Sequence, residues 1–242
     1  MTLFKPEADL PQWLWLYFPP AMLLVLSLTY FIAPNTFTVV MAKDQQTGWA
    51  LVEHATVIVL IPGIYAGLLL LARHHHVLPG CWIKLYILAW TLACIYFAGE
   101  EASWGQWLFQ WQSPEWFIEH NKQQETNLHN LSSWLNQKPR ALVELWIIVA
   151  GLIMPLYYQI SKKQLVISDW RYWFYPTQLC LAAGLCFLLV RLGKGIDIDF
   201  IQDLTASGEL REYYVAVFLS IYLLSIYTRA KREGSVQTVQ WK

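Results

Sequence analysis

Six apolar stretches, each about 20 residues long, constrain this 242-residue chain more than any other feature of its sequence. A helix of that length crosses the roughly 30 Å hydrocarbon core of a bilayer with its backbone polar groups satisfied internally. Only 14% of the residues are charged, against about 25% in an ordinary soluble domain. The stretches lie at about 14–33, 50–72, 82–101, 141–160, 173–192 and 211–228. We therefore predict an all-α, polytopic membrane helix bundle with six transmembrane spans.

The segments between these stretches are too short to form a separate soluble domain. Residues 1–242 are therefore predicted to be a single integral membrane domain. The first stretch lacks a short apolar region that ends in a small-residue cleavage site, so we interpret it as a retained span rather than a signal peptide. Prolines predict kinks or helix starts in three spans, because proline lacks an amide hydrogen. They are Pro19 with Pro20, Pro62 and Pro155.

Charge is balanced overall but divided between the two membrane faces. The 17 basic and 17 acidic residues give no excess positive charge for binding a nucleic-acid backbone. Six spans put both termini on one side, where ten lysines and arginines are found against seven on the other side. Thirteen acidic residues lie on that other side, span ends included. Because positive charge favours the cytoplasm, we predict cytoplasmic termini and an acidic outer face.

The longest connection, residues 102–140, is rich in aromatic and polar side chains. Trp104, Trp107 and Trp111 recur there at helical spacing, in a chain with 14 tryptophans. Tryptophan is typical of membrane–water boundaries, where its ring is in an apolar setting and its N–H finds a polar partner. The connection is therefore predicted to be an interfacial helical loop between the third and fourth spans, on the outer surface.

Two adjacent carboxylates, Glu100 and Glu101, end the third span. Counting from Trp82 at 1.5 Å per residue sets them roughly 27 Å along the helix, at the outer edge of the hydrocarbon. Ionisable groups at that depth usually face a partner or a watery cavity. Neighbouring helical side chains diverge by about 100°, yet both can border one pocket. The alternative is that both residues belong to a hydrated helix end.

A second polar pattern, Glu125 and His129 in the segment QQETNLHN, has the residue types of a metal or acid–base site. Their spacing of four places carboxylate and imidazole on one face of a predicted helix. Such a pair suits an oxygen–nitrogen metal site or a carboxylate-oriented general base. The same pair is also common on ordinary helix surfaces.

These patterns predict a site at the outer face, built from the end of the third span and the following loop. The candidate catalytic residues are Glu100, Glu101, Glu125 and His129. The candidate substrate-binding residues are Ser103, Trp104, Gln106, Asn121, Gln124 and Asn130. The candidate ligands of a divalent metal are Glu101, Glu125 and His129.

Acidic residues before and within the sixth span leave two interpretations open: they complete the site, or they are hydrated helix ends. For Asp203, Glu209 and Glu212 the second interpretation is favoured. Arg191 and Lys194 are then their partners or contacts of lipid headgroups.

Two segments carry a resemblance to other sequences. Residues 99–106 read GEEASWGQ and residues 121–130 read NKQQETNLHN, which fit the patterns EExSWGQ and NxQxExNxHN. In these segments the chain resembles a group of uncharacterised bacterial polytopic membrane proteins. The resemblance is close over residues 99–130 and extends elsewhere only as a hydropathy pattern. It implies a bacterial inner-membrane protein and carries over no activity.

The function that these patterns favour is that of a membrane-embedded enzyme acting on a lipid or lipid-linked substrate at the outer face. Its chemistry is open between a metal-dependent hydrolase and a transferase. One alternative is a structural or assembly subunit, whose tryptophan-rich loop binds a protein partner in a membrane complex. Another is an ion-coupled transporter, which would need ionisable residues deep in the spans, where the sequence has almost none. Membrane lipids are the expected partners, and nucleic acid is not.

Overall fold

The apolar stretches form long helices in a computed structural model. It describes residues 10–41, 51–121, 124–128, 131, 133–162, 165, 168–205 and 208–240. Across these residues all regular structure is helical and no strand occurs. Six helical segments are long and apolar enough to cross a membrane, which confirms the predicted fold class. We call them spans 1 to 6: Trp13–Ile32, Leu51–Arg73, Gly80–Glu101, Gln137–Ser161, Trp170–Gly193 and Glu209–Gly234.

Several of the spans combine more than one type of helix. The α-helices are Phe18–Ile32, Pro34–Met41, Leu51–Arg73, Gly80–Glu101, Gln106–Phe109, Glu115–His120, Ser133–Trp146, Met154–Ser161, Trp170–Phe174, Leu181–Gly193, Asp199–Thr205 and Glu209–Gln240. The π-helical segments are Trp13–Tyr17 and Ile147–Ile153, and the 3₁₀ turns are His75–Val77, Ser103–Gly105 and Gln178–Cys180.

The prolines explain where two spans change from a π-helix to an α-helix. In span 4 a π-helix precedes the α-helix Met154–Ser161, whose first turn contains Pro155. Span 1 has the same order, with Pro19 and Pro20 in the first turn of its α-helix. A proline cannot donate to the carbonyl four residues earlier, and a wider turn before it accommodates that loss. Pro62, by contrast, lies inside one continuous α-helix.

Span 6 is the most buried of the six and forms the centre of the bundle. Glycines on neighbouring spans let their backbones approach it closely. A Cβ atom added to Gly63 of span 2 would lie 2.6 Å from the Cα of Ser220, and one added to Gly151 of span 4 would lie 2.3 Å from the Phe218 ring. Small residues at such contacts are typical of helix packing in membranes.

Span 5 is broken after its first five residues, and span 6 stabilises the break. The half-helix Trp170–Phe174 ends in backbone carbonyls that have no partner within the helix. The buried guanidinium of Arg229 donates to the Tyr172 carbonyl, and its Cζ atom lies 5.3 Å from the Tyr172 ring centroid. The Tyr222 hydroxyl donates to the Phe174 carbonyl at 2.7 Å. A cation at a helix C-terminus is also favoured by the helix dipole.

The loop between spans 3 and 4 is only partly helical. It contains the short helices Gln106–Phe109 and Glu115–His120, and residues 124–128 have no helical structure. The prediction that Glu125 lies on a helix is therefore wrong. Side chains of asparagine and glutamate bind the backbone and one another here, in place of a helical hydrogen-bond ladder.

Candidate functional site

Two polar clusters occupy the end of the bundle that carries the loop between spans 3 and 4, and the adjacent residues Glu100 and Glu101 belong to different clusters. Glu100 is buried, and both of its carboxylate oxygens accept hydrogen bonds from neutral donors. The Trp104 indole N–H donates to Oε1 at 2.8 Å, and the Leu128 backbone N–H donates to Oε2 at 2.7 Å. Glu100 thus ties the end of span 3 to the loop.

A chain of buried hydrogen bonds continues from there through the loop. The Ser103 hydroxyl and the Asn127 amide donate to the same oxygen of Glu125, at 2.8 and 2.9 Å. The Asn121 amide donates to the side-chain and backbone oxygens of Asn127, both at 2.8 Å. Glu125 is only 3% exposed, so these donors replace the water that its carboxylate would otherwise bind.

Gln106 and Ser113 extend this chain to the first half of the loop. The Gln106 side-chain oxygen accepts from the Thr126 backbone N–H at 2.7 Å and from the Ser113 hydroxyl at 3.1 Å. Ser113 also contacts the Gln124 carbonyl at 2.8 Å. We call this set the loop network: Glu100, Ser103, Gln106, Ser113, Asn121, Glu125 and Asn127. Its polar groups bond one another and thereby join the end of span 3 and the two halves of the loop.

The turn that begins the loop is conformationally demanding. Ser103, Trp104 and Gly105 all have positive φ angles, of 43°, 53° and 88°. Only glycine adopts such angles readily, so the first two residues need outside support. The hydrogen bonds of Ser103 to Glu125 and of Trp104 to Glu100 provide it.

The second cluster brings Glu101 together with the first turn of span 6. One carboxylate oxygen from each of Glu101, Glu209 and Glu212 lies within 4.8 Å of the other two. We call these residues the carboxylate trio. The helix N-terminus favours negative charge at Glu209 and Glu212, but it contributes only about 0.3–1 kcal/mol. Three carboxylates this close repel one another unless a cation or protons lie between them.

Arginines border the trio on one side. Arg140 of span 4 pairs with Glu212 at 2.5 Å and with Glu144 at 3.3 Å. Glu144 is 6% exposed and also pairs with Arg191 at 3.2 Å and Arg211 at 3.4 Å. One buried carboxylate therefore holds three guanidinium groups, and Arg140 links it to the trio.

A cavity of about 160 Å³ lies against the trio, between spans 3, 4 and 6. Its end nearest the loop is polar, with Glu100, Glu101, Arg140 and Glu212. Its remaining walls are mainly apolar and aromatic: Trp90, Ala93, Tyr96, Phe97, Pro139, Val143, Val215 and Leu219. The arrangement offers charged groups at one end and an apolar compartment at the other.

The predicted site residues divide between these two clusters. Glu101 belongs to the carboxylate trio, and Glu100 reaches the cavity while bonded within the loop network. The predicted substrate-binding residues Ser103, Gln106 and Asn121 and the predicted catalytic residue Glu125 lie in the loop network. Trp104 is partly exposed and bonded to Glu100, and Gln124 is exposed. His129 and Asn130 lie outside the described residues.

The structure groups a different set of candidate metal ligands from the set that the sequence predicts. Of the predicted set only Glu101 is in the trio, while Glu125 bonds Ser103 and Asn127. Glu209 and Glu212, which the sequence favoured as hydrated helix ends, take the other two places. The available signal was that several charges of both signs occur at one membrane depth: Glu101, Arg140, Glu144, Arg211 and Glu212.

Comparison of the chain with protein-family models, with curated proteins and with solved structures found no match.

Proposed function

We propose that this protein is a membrane-embedded, metal-dependent enzyme that acts on a lipid or lipid-linked substrate at its outer face. The observation that carries the proposal is the carboxylate trio at the polar end of an otherwise apolar cavity. A hydrated helix end would explain the carboxylates but not the apolar cavity, and a packed core would explain neither. The reaction is hydrolysis or group transfer on the polar part of the substrate.

A divalent cation suits the trio because carboxylate oxygens are the preferred ligands of Mg²⁺, Ca²⁺ and Mn²⁺. Arg140 offsets part of the negative charge, but Glu144 shares it. A bound cation would act as a Lewis acid on a phosphate or ester oxygen and lower the pKa of a bound water. Glu101, Glu209 and Glu212 would hold the cation, and Arg140 would orient an anionic substrate group.

A lipid substrate fits the surroundings of the trio. The cavity walls are mainly apolar, and the loop exposes Trp104, Trp111 and Trp116 at the same end of the bundle. Tryptophans of this kind favour the headgroup region of a bilayer. The reacting groups would therefore lie at the depth of lipid headgroups, where a water-soluble substrate has no advantage.

The proposal also includes a cellular location and an orientation in the membrane. The protein would reside in a bacterial inner membrane with both termini in the cytoplasm, as the resemblance and the excess of basic residues on the terminal side suggest. Its first partners would be membrane lipids. A protein partner bound to the tryptophan-rich loop is the alternative that an assembly subunit would require.

Metal binding is the direct test. The full chain, purified in detergent, would be titrated with Mn²⁺ by calorimetry and its bound metal counted after dialysis. We expect one ion per chain, with affinity falling by about 10–100-fold or more in Glu101→Gln or Glu212→Gln, because each substitution removes a charged ligand. Glu119→Gln is the matched control, since Glu119 is an exposed carboxylate in the loop between spans 3 and 4.

Activity is tested separately by lipid mass spectrometry of membranes from cells that express either the unsubstituted chain or Glu101→Gln. A lipid species that changes only with the unsubstituted chain supports an enzyme. Equal Mn²⁺ binding by all variants, or identical lipid profiles, would contradict the proposal.

A further inference from the structure

The cavity beside the trio is called the groove here, because its lining residues Tyr96 and Pro139 are exposed. Span 6 lines it through Val215 and Leu219, span 3 through Phe97 and span 4 through Val143. The trio and Arg140 lie at its outer end. An occupant would therefore lie along the helices, with one end at the charged groups.

Aromatic rings mark the inner end of this groove. Trp90 lies 6.2 Å from Trp146 between ring centroids, and Tyr86 lies 4.6 Å from Phe174. Trp90 precedes Glu101 by eleven residues, which is about 16 Å along a helix. That distance is close to half of the roughly 30 Å hydrocarbon core. The groove thus matches the depth of one leaflet.

The rim of the groove faces the hydrocarbon. Tyr96 on span 3 is 42% exposed, and Pro139 on span 4 is exposed as well. Next to the groove residue Val143, Leu142 is 70% exposed and Leu145 is 58% exposed, as expected for positions in contact with lipid. A molecule in the bilayer could enter between spans 3 and 4 without crossing water.

The charged end of the groove complements a phosphate group. A guanidinium has five N–H donors, and the contacts of Arg140 with Glu144, Glu212 and the Gly208 carbonyl engage only some of them. A cation on the trio would add positive charge at the same end. A phosphodiester that accepts a hydrogen bond from Arg140 at this end would have its glycerol at the rim, with one acyl chain directed inward.

We propose that the groove binds one acyl chain of a phospholipid from the leaflet next to the loop, with the phosphate beside Arg140 at the polar end of the groove. This substrate class rests on the proposed function. The second acyl chain stays in the bilayer, which the lateral opening permits. The enzyme then acts on the head group of a membrane phospholipid.

The test is photo-crosslinking of the full chain in nanodiscs. Two phospholipid probes carry a diazirine on one acyl chain, either near the glycerol or at the chain end. We expect the near-glycerol probe to label residues around Arg140 and the chain-end probe to label residues around Trp90 and Leu219. This depth pattern is measured on the unsubstituted chain, so the result does not depend on the folding of a variant.

Two tryptophan substitutions sharpen the test. Val143→Trp fills the groove, and we expect labelling within it to fall about tenfold, whereas Leu142→Trp on the exposed side should leave labelling unchanged. Inorganic phosphate should not compete with the probe. Labelling that is no stronger in the groove than at Leu142 and Leu145 overturns the proposal, because annular lipid alone gives that result. Displacement by a prenyl phosphate but not by unlabelled phospholipid also overturns it.

The two proposals can fail independently. If the chain gives the depth pattern without binding Mn²⁺, the metal-dependent function is wrong and the lipid groove stands. If it binds Mn²⁺ without the depth pattern, the phospholipid assignment is wrong and the cation site stands.

Discussion

The loop network and the carboxylate trio are neighbours in space and in sequence, yet their acidic side chains have opposite kinds of neighbours. Among the described residues, Glu100 and Glu125 each accept hydrogen bonds from neutral N–H or O–H donors. Glu101 faces Glu209 and Glu212, and Arg140 is a nearby positive charge that it shares with other carboxylates. The hydrogen-bond donors of the first environment stabilise ionised carboxylates, whereas the like charges of the second favour a cation between them. Burial of a carboxylate alone therefore does not identify a functional residue; its neighbours do.

The largest effect on stability is expected in the loop network. Glu125→Ala removes the acceptor shared by Ser103 and Asn127, leaving buried donors unpaired, and should destabilise the protein by about 2–4 kcal/mol. Thermal unfolding in detergent should show a melting temperature lower by roughly 5–10 °C. Added Mn²⁺ should still raise that temperature if the trio binds metal. Glu119→Ala, on the exposed surface of the same loop, is the control and should melt like the unsubstituted chain.

An intermediate effect is expected at Arg140, which joins the trio to Glu144. Arg140→Gln should cost about 2 kcal/mol, because it removes a cation from a carboxylate cluster that is partly exposed to solvent. Millimolar Mn²⁺ should recover more of the lost melting temperature in this variant than in Glu125→Ala. Equal recovery in the two variants would mean that the clusters do not differ in their need for a cation.

The smallest effect on stability is expected at Glu101, and its sign distinguishes the trio from the loop network. Without metal, Glu101→Gln removes one of three like charges and should stabilise the protein by less than about 1 kcal/mol. Mn²⁺ at a hundredfold excess over Kd should stabilise the unsubstituted chain by about 2.7 kcal/mol, and at the same concentration it should stabilise Glu101→Gln by only about 0.4–1.4 kcal/mol, with a correspondingly smaller rise in melting temperature. A clear loss of stability without metal would show that Glu101 has a structural role like that of Glu100.

The spans were predictable because hydropathy is a local property. The predicted span at 50–72 corresponds to Leu51–Arg73, and the one at 82–101 corresponds to Gly80–Glu101. The break in span 5 was not predicted, although Pro176 lies within it. A broken helix is stable in a membrane only when distant groups satisfy its carbonyls, and hydropathy carries no information about Arg229 reaching Tyr172.

The site was predicted in part for a similar reason. The depth of Glu101 along span 3 follows from residue counting, and that placed a candidate carboxylate at the outer edge. Its partners Glu209 and Glu212 are more than a hundred residues away, and only the packing of span 6 against span 3 brings them close. Glu125 was assigned to a helix because its spacing to His129 is helical, whereas side-chain bonds to Ser103 and Asn127 determine its place.

The broken span 5 has a consequence for how the protein is made. Its half-helix Trp170–Phe174 relies on Tyr222 and Arg229, which belong to the last of the six spans to leave the ribosome. Until that span inserts, the carbonyls of Tyr172 and Phe174 lack these donors. The same span provides two members of the trio. Insertion of span 6 therefore both completes the bundle and assembles the carboxylate trio, so a chain interrupted before it would have neither.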